Sequence, residues 1–375
     1  MEMKMRKNIL MVIDSLGIGG AEKITLTLAE LFVKEGFNVD IICIYDHVKF
    51  PIPEGVQVHS IYFTKKILQN YIYRRKLQNK IDNLEKSYKQ SFSLILVHLL
   101  KAARLMQNYQ HKKLYYVLHS TMSQESLSGL VGVKRKKRLA RLSGKFKGRN
   151  IIAVSQGIAE DFKNIIGIKY KSLQVIYNPI NLQNIEDQAK ECNLFEKDKP
   201  YIMHLGRLVK VKRHDRLLKA YKDSNIDAKL LLVGEGPLRS EIEKDILRLG
   251  LQEKVILTGL QMNPYPIIRD ARLLALSSDY EGLNMALLEA LALNIPVVSV
   301  DCPSGPREIL EGYLEHSLVA FGDKSTFAKM IASQYKSPQK ISSTVLKRFS
   351  GNTVIKQYIS LIYKSKDCFA GEVTI

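Results

Sequence analysis

Residues 273–310 read Leu273-Leu-Ala-Leu-Ser277-Ser-Asp279-Tyr-Glu281-Gly-Leu-Asn284-Met-Ala-Leu-Leu-Glu289, then Ala290 to Pro296-Val-Val-Ser-Val300, then Asp301-Cys-Pro-Ser-Gly-Pro-Arg307-Glu-Ile-Leu310. The apolar run from Leu273 predicts a buried strand, and Gly282 breaks the chain just after Glu281. Helical pattern begins near Asn284, and Pro296–Val300 predicts the next strand. Glu281 therefore falls in a loop, whereas Glu289 falls on the second turn of the helix. The helix start leaves N–H groups that can meet a phosphate or a sugar hydroxyl. Two glutamates around such a helix are also common as plain surface residues, so their meaning depends on what accompanies them.

The same alternation extends in both directions. Strands are predicted at 201–205, 229–233 and 254–257, with helices starting near Arg213, Leu238, Pro264 and Asn284. In the first half the apolar runs at 8–13, 39–44, 94–98, 114–119, 151–155 and 173–176 mark strands buried on both faces. Strand and helix in turn mean doubly wound parallel sheets, and 375 residues are enough for two such domains. We expect a first Rossmann-like α/β domain over 1–178, a polar linker over 179–199, and a second Rossmann-like domain over 200–345. Residues 346–375 are expected to supply a last helix that crosses back to the first domain.

Composition narrows the class. Four scattered cysteines show neither metal-ligand nor redox-pair spacing, which suits a reducing compartment. The opening apolar run stops at Asp14, too short for a signal peptide, and no segment approaches the length of a bilayer span. A cytoplasmic protein is expected. The 57 basic and 37 acidic residues leave a net charge of +20, which calls for an anionic partner. Much of the excess lies in Lys134-Arg135-Lys136-Lys137-Arg138-Leu-Ala-Arg141, where Leu139, Leu142 and Phe146 give one side that can pack. The other side suits an anionic membrane surface or a lipid-linked diphosphate, each nearby Lys or Arg adding about 1 kcal/mol on an anionic membrane. No nucleic-acid-binding motif accompanies it.

Three further stretches carry candidate chemistry. Gly17-Ile-Gly19-Gly20-Ala-Glu22 joins the first strand to a helix, where glycines let backbone N–H groups approach a ligand. It is a poor dinucleotide fingerprint. His98 and His119 end two strands. Gly206-Arg207-Leu-Val-Lys210-Val-Lys212 follows the strand at 201–205 and offers a planar fork and a point charge to phosphate oxygens.

In this order the motifs resemble glycosyltransferase family 4, retaining enzymes with the two-domain GT-B fold. The run from Asp301 to Leu310 resembles the branch that builds bacterial surface polysaccharide and lipopolysaccharide. The resemblance implies an acceptor-binding first domain and a donor-binding second domain, facing each other across a cleft. It implies a nucleotide sugar, UDP-linked, as donor, and a phosphorylated or lipid-linked glycan as acceptor at the inner face of the cell membrane.

Catalytic roles then fall to His119, Arg207, Lys212 and Glu281. Donor binding falls to Gly19, Gly20, Leu283, Asn284, Met285 and Glu289, and the basic stretch from Lys134 to Arg141 serves acceptor and membrane. Arg207 and Lys212 would neutralise the leaving diphosphate, so no metal and no other cofactor is expected. Lys212→Ala is expected to lower turnover while costing under about 0.5 kcal/mol of stability, as truncations in surface loops do. Two departures stand out: Arg213 and His316 occupy positions where the family usually has glycine. A nucleotide-sugar-binding or scaffold protein without catalysis, and an NAD-dependent enzyme, are the alternatives.

Overall fold

The computed structural model describes residues 6–61, 69–312 and 314–363. The described residues divide into two compact units, one formed by those up to Pro179 together with those from Gly351, the other by those from Ile180 to Ser350. Each is a parallel sheet with helices between its strands.

In the first unit the strands are β1 (Asn8–Ile13), β2 (Asn38–Cys43), β3 (Val56–Ser60), β4 (Leu94–His98), β5 (Leu114–Leu118), β6 (Asn150–Ala153) and β7 (Ser172–Val175). They pair in parallel in the order β3-β2-β1-β4-β5-β6-β7. All of β1, β4 and β5 is buried, as their apolar runs require, with Asn8 and His98 as buried polar ends of β1 and β4. The connecting helices are α1 (Gly20–Lys34), α2 (Gln69–Tyr88), α3 (Leu100–Met106), α4 (Gly132–Phe146) and α5 (Gln156–Glu160). Between β5 and α4 the segment Ser123–Leu127 forms a π-helical turn.

In the second unit α6 (Leu182–Ala189) precedes β8 (Tyr201–Leu205), α7 (His214–Ser224), β9 (Lys229–Val233) and α8 (Arg239–Leu249). Then follow β10 (Val255–Gly259), α9 (Tyr265–Arg269), β11 (Leu273–Leu276), α10 (Met285–Ala292), β12 (Val297–Val300), α11 (Pro306–Leu310), β13 (Leu318–Val319) and α12 (Lys324–Lys336). The strand order is β10-β9-β8-β11-β12-β13, all parallel. Its core is mostly aliphatic: Leu217, Leu218, Leu230, Leu232, Val298 and Ile331 pack around Phe327 with almost no exposure.

The strands and helix starts expected from the sequence are present, with differences that have physical causes. The stretch 179–199 is not a bare linker. It folds as α6 and a turn at Glu196–Asp198, and it counts with the second unit. Asn181 caps α6 through the Asn184 N–H, and Ile185 and Ala189 give it a buried face among polar neighbours. The closing helix is two pieces, a 3-10 segment Ser343–Phe349 and α13 (Gly351–Tyr363), interrupted at Ser350. In α13, Tyr358 meets Phe32 of α1 edge-on, ring centres 6.2 Å apart. Residues 364–375 lie outside the described part of the chain.

Both strand orders reverse direction once: β1 lies between β2 and β4, and β8 between β9 and β11. At such switch points the loops leaving neighbouring strands diverge, and an open α/β sheet takes its ligands there.

Candidate functional site

The switch point of the second unit brings two distant motifs together. β8 and β11 are hydrogen-bonded neighbours, so the loop after β8 and the loop after β11 leave the sheet side by side. Lys212 Nζ donates to Glu281 Oε1 over 2.7 Å, with the two side chains only 17% and 10% exposed. Ser278 Oγ donates to the same carboxylate oxygen. The loops are stitched along their length: the Asp279 N–H donates to the Val211 carbonyl over 2.8 Å. Ser277 Oγ donates to the Lys212 and Arg213 carbonyls. Arg216 donates to the Ser277 carbonyl and to Asp279. Arg207 stands exposed at the start of the same loop.

Arg213 sits in the left-handed region, φ 51° and ψ 52°, the conformation that glycine adopts most cheaply. Its guanidinium bonds Asp215 through Nε and NH2 and Asp279 through NH1. The loop thus keeps a glycine-like course with an arginine in place, held by two carboxylates. Close backbone contact explains the Gly234-Glu-Gly236-Pro237 turn. A Cβ on Gly234 would lie 2.1 Å from the Gly206 carbonyl oxygen, and one on Gly236 would lie 2.4 Å from that of Leu208. Glu235 pairs with Arg239 one helical turn on, a structural role.

The N-terminus of α10 is formed as the sequence implies. Asn284 caps it, its Oδ1 accepting the Leu287 N–H at 3.1 Å. Leu283 and Asn284 are buried and Met285 is half-buried. The 301–310 motif braces this turn from behind: Ser304 Oγ donates to the Gly282 carbonyl, and Pro303 O accepts the Glu281 N–H. Arg307 pairs with Asp301 and Glu315. Glu289 is 5% exposed and accepts a bond from Tyr265 Oη at 3.2 Å. Neither Ser278 nor Tyr265 was a candidate from sequence. Ser278 had a signal in its place beside Asp279, whereas Tyr265 had none, since it arrives from α9.

Two buried histidines underlie the Lys212 loop. His204 Nδ1 donates to the Ala275 carbonyl over 2.9 Å. His214 sits edge-on to it, ring centres 4.9 Å apart. Burial holds the first down to about 4 and the second to about 3, so both are neutral at physiological pH.

The first unit carries the remaining candidates. Gly20 begins α1 at the carboxyl end of β1, with open space where a Cβ would be, and Gly19 caps it from an extended conformation. His119 follows β5. Its Nε2 hydrogen-bonds His98 Nδ1 at 2.9 Å, and the rings stack with centres 5.2 Å apart. His98 is fully buried, in keeping with a structural part, and it orients His119. Burial lowers His119 to about 4, so it offers a neutral hydrogen-bonding ring rather than a charge. It lines a pocket with Ser120, Glu125, Leu100, Tyr116 and Phe146.

The basic stretch is α4 itself. Leu142 and Phe146 are buried, while Leu139 is half-exposed. Lys134, Lys137, Arg138 and Arg141, at positions i, i+3, i+4 and i+7, share one face. They line a groove with Glu125, Ser126, Ser128 and Leu130. Arg135 and Lys136 do not line it. Just before them Val131 and Val133 are 80% and 67% exposed. Among the described residues no helix is long and apolar enough to cross a membrane. Nor, among those residues, is any group of three His, Cys, Asp or Glu side chains placed to hold a metal ion.

Comparison with known proteins gives consistent matches in both units. The model described as Glycosyltransferase Family 4 matches residues 18–184, and that described as Glycosyl transferases group 1 matches residues 185–348. A Campylobacter jejuni relative is N-acetylgalactosamine-N,N'-diacetylbacillosaminyl-diphospho-undecaprenol 4-alpha-N-acetylgalactosaminyltransferase. It is 31% identical over 307 residues, 79% of this chain and 81% of its own. The lipopolysaccharide 1,6-galactosyltransferase of Salmonella typhimurium is 28% identical, over 56% of this chain and 60% of its own. In fold, the Anabaena protein HepE, solved with UDP and glucose, superposes with a TM-score of 0.75 at 20% identity, covering 96% of this chain and all of its own.

Proposed function

Because the chain belongs to the family 4 and group 1 glycosyltransferases, enzymes of the GT-B fold, we propose that it is a retaining, metal-independent transferase of surface-glycan assembly. It moves a hexose or N-acetylhexosamine from a UDP-sugar to a lipid-linked or lipopolysaccharide or capsule glycan, at the cytoplasmic face of the membrane. Support for the acceptor class comes from the names of the relatives, and support for the nucleotide from the UDP held by the HepE fold relative.

The observation that carries the catalytic reading is the Lys212–Glu281 pair at the β8/β11 switch point, beside the exposed Arg207. Arg207 and Lys212 stabilise the negative charge that grows on the leaving diphosphate, worth most where water is excluded. Glu281 spends Oε1 on Lys212 and Ser278 and turns Oε2 to the donor sugar, with the backbone N–H groups at Leu283, Asn284 and Met285. Glu289, fixed by Tyr265, accepts the ribose hydroxyls. Within the first unit, Gly19 and Gly20 leave the α1 N-terminus open to a phosphate, and neutral His119 offers a hydrogen bond to a sugar hydroxyl. The acceptor hydroxyl attacks the face from which the diphosphate departs, and its proton passes to a departing phosphate oxygen, so configuration is retained. The cationic α4 holds acceptor phosphate and anionic lipid.

The test is thermal-shift and donor-hydrolysis screening of the purified chain against UDP-, GDP- and ADP-sugars in EDTA. Stabilisation by one UDP-sugar with slow release of UDP is expected. Activity that EDTA abolishes and magnesium restores would overturn metal independence, and stabilisation without any turnover would favour a nucleotide-sugar-binding protein.

A further inference from the structure

The pocket beside His119 and the groove along α4 share one residue, Glu125, on the π-helical turn Ser123–Leu127. Such turns displace side chains from regular positions and recur at functional sites. Glu125 is open to solvent as a residue, yet its carboxylate stands among many protein atoms, the situation of a group in a concavity. Crowding raises its pKa; a hydrogen bond with Ser120 and the nearby Lys145 and Arg138 work against that rise. On the groove side the polar groups are incompletely satisfied. Ser126 is 6% exposed and its Oγ has no partner among the described residues, and neither has the buried Nε of Arg138.

A bare phosphate groove would not hold a carboxylate where it meets its neighbour, because Glu125 would repel the ligand. The arrangement fits a ligand that donates hydroxyl hydrogens at one end and presents anionic oxygens at the other. We propose that Glu125 is the residue that recognises a hydroxyl of the acceptor's terminal sugar, while Ser126, Arg138, Lys134, Lys137 and Arg141 bind a diphosphate attached to the glycan. This rests on the glycosyltransferase reading and deepens it, naming the acceptor as a diphosphate-linked glycan short enough to span both pockets. The Glu125 carboxylate takes the sugar hydroxyl, a charge-assisted bond that discriminates sharply against a ligand without it. Arginine and lysine on successive turns of one helix face meet oxygens of both phosphates.

Direct binding tests it without turnover. The full chain is titrated calorimetrically with octyl glycosides of galactose, glucose and their N-acetylamino forms, with the same sugars on farnesyl diphosphate, and with inorganic pyrophosphate. For one sugar the diphosphate-linked probe should bind about 100-fold tighter than the octyl glycoside, as several charge-assisted contacts allow. Glu125→Gln should weaken both probes about tenfold, one charged hydrogen bond's worth, with UDP affinity unchanged. Lys137→Ala with Arg141→Ala should weaken only the diphosphate-linked probe. Ser126→Ala, the mildest change, gives a folded control that should weaken that probe alone.

Pyrophosphate binding as tightly as the diphosphate-linked sugar, Glu125→Gln leaving both probes unchanged, or no probe binding the wild-type chain at millimolar concentration would each overturn the proposal. Donor hydrolysis in the wild-type chain is measured alongside. If no UDP-sugar binds or is hydrolysed while the Glu125-dependent binding persists, the catalytic reading fails and the glycan site stands.

Discussion

Lys212 and Glu281 lie 69 positions apart in the chain and form a 2.7 Å ion pair, both side chains largely withdrawn from water. That burial changes what Lys212→Ala should do. As a surface-loop truncation it would cost under about 0.5 kcal/mol. With Glu281 left without its counter-ion in a site 10% exposed, and only partly compensated by Ser278, the loss should be about 1–3 kcal/mol. Turnover should fall by about 100- to 1,000-fold, as when a donor to a developing oxyanion is removed. Adding Glu281→Gln to Lys212→Ala should recover stability without recovering rate. Urea unfolding and initial rates of UDP release read the two effects separately, and a wild-type rate in Lys212→Ala would end the catalytic assignment.

Arg213 gives an unusual ordering of variants. In the left-handed region a Cβ costs about 1–2 kcal/mol, which glycine avoids. The arginine offsets that cost through Asp215 and Asp279. Arg213→Ala loses the bonds and keeps the strain, whereas Arg213→Gly loses the bonds and relieves it. Arg213→Gly should therefore unfold at a higher temperature than Arg213→Ala, by several degrees. Equal midpoints would show that the backbone angle at 213 carries no strain.

The sequence made the sheets and the turn and cap between Glu281 and Glu289 legible because both depend on short-range pattern. Apolar runs such as Asn8–Ile13 and Leu273–Leu276 have no other way to be buried, and Gly282 next to Asn284 marks a turn and a cap within a few residues. What depended on distant packing was hidden. The polar stretch after Asn181 looks like a linker until its few apolar residues find α9 and α10, and α6 forms against them. Glu125 attracts no notice in Ser123-Gln-Glu125-Ser126, because only the π-helical turn and the return of α4 surround it with cations. The six basic candidates looked equivalent in sequence, and the helix period separated them into four that line the groove and two that do not.

Tyr265 shows the same limit and offers a prediction. Its hydroxyl bonds the buried Glu289 carboxylate, which in the proposed mechanism accepts the ribose hydroxyls. Tyr265→Phe keeps the ring and removes the hydroxyl that makes that bond, so a net effect of about 0.5–1.5 kcal/mol is expected. UDP should bind about 2- to 10-fold more weakly, with kcat at saturating donor nearly unchanged. Calorimetric titration with UDP checks this, and an unchanged Kd would mean that Glu289 needs no help from α9.

Acid should weaken the fold through its buried histidines. His204 titrates near 6.5 when unfolded and at about 4 when folded, because burial disfavours the charged ring. Between those values the unfolded chain binds more protons than the folded one, so stability rises with pH there and is lost as pH falls from about 6.5 towards 4. The shift corresponds to about 3 kcal/mol for this residue once pH is below its folded value. His119, held at about 4, acts in the same direction, as does His214. Replacing His204 with glutamine removes one titrating ring and should flatten the fall in unfolding midpoint between pH 6.5 and 4, whatever it does at neutral pH. A His204→Gln chain with the full wild-type acid slope would show that the ring is solvated and charged in the folded protein.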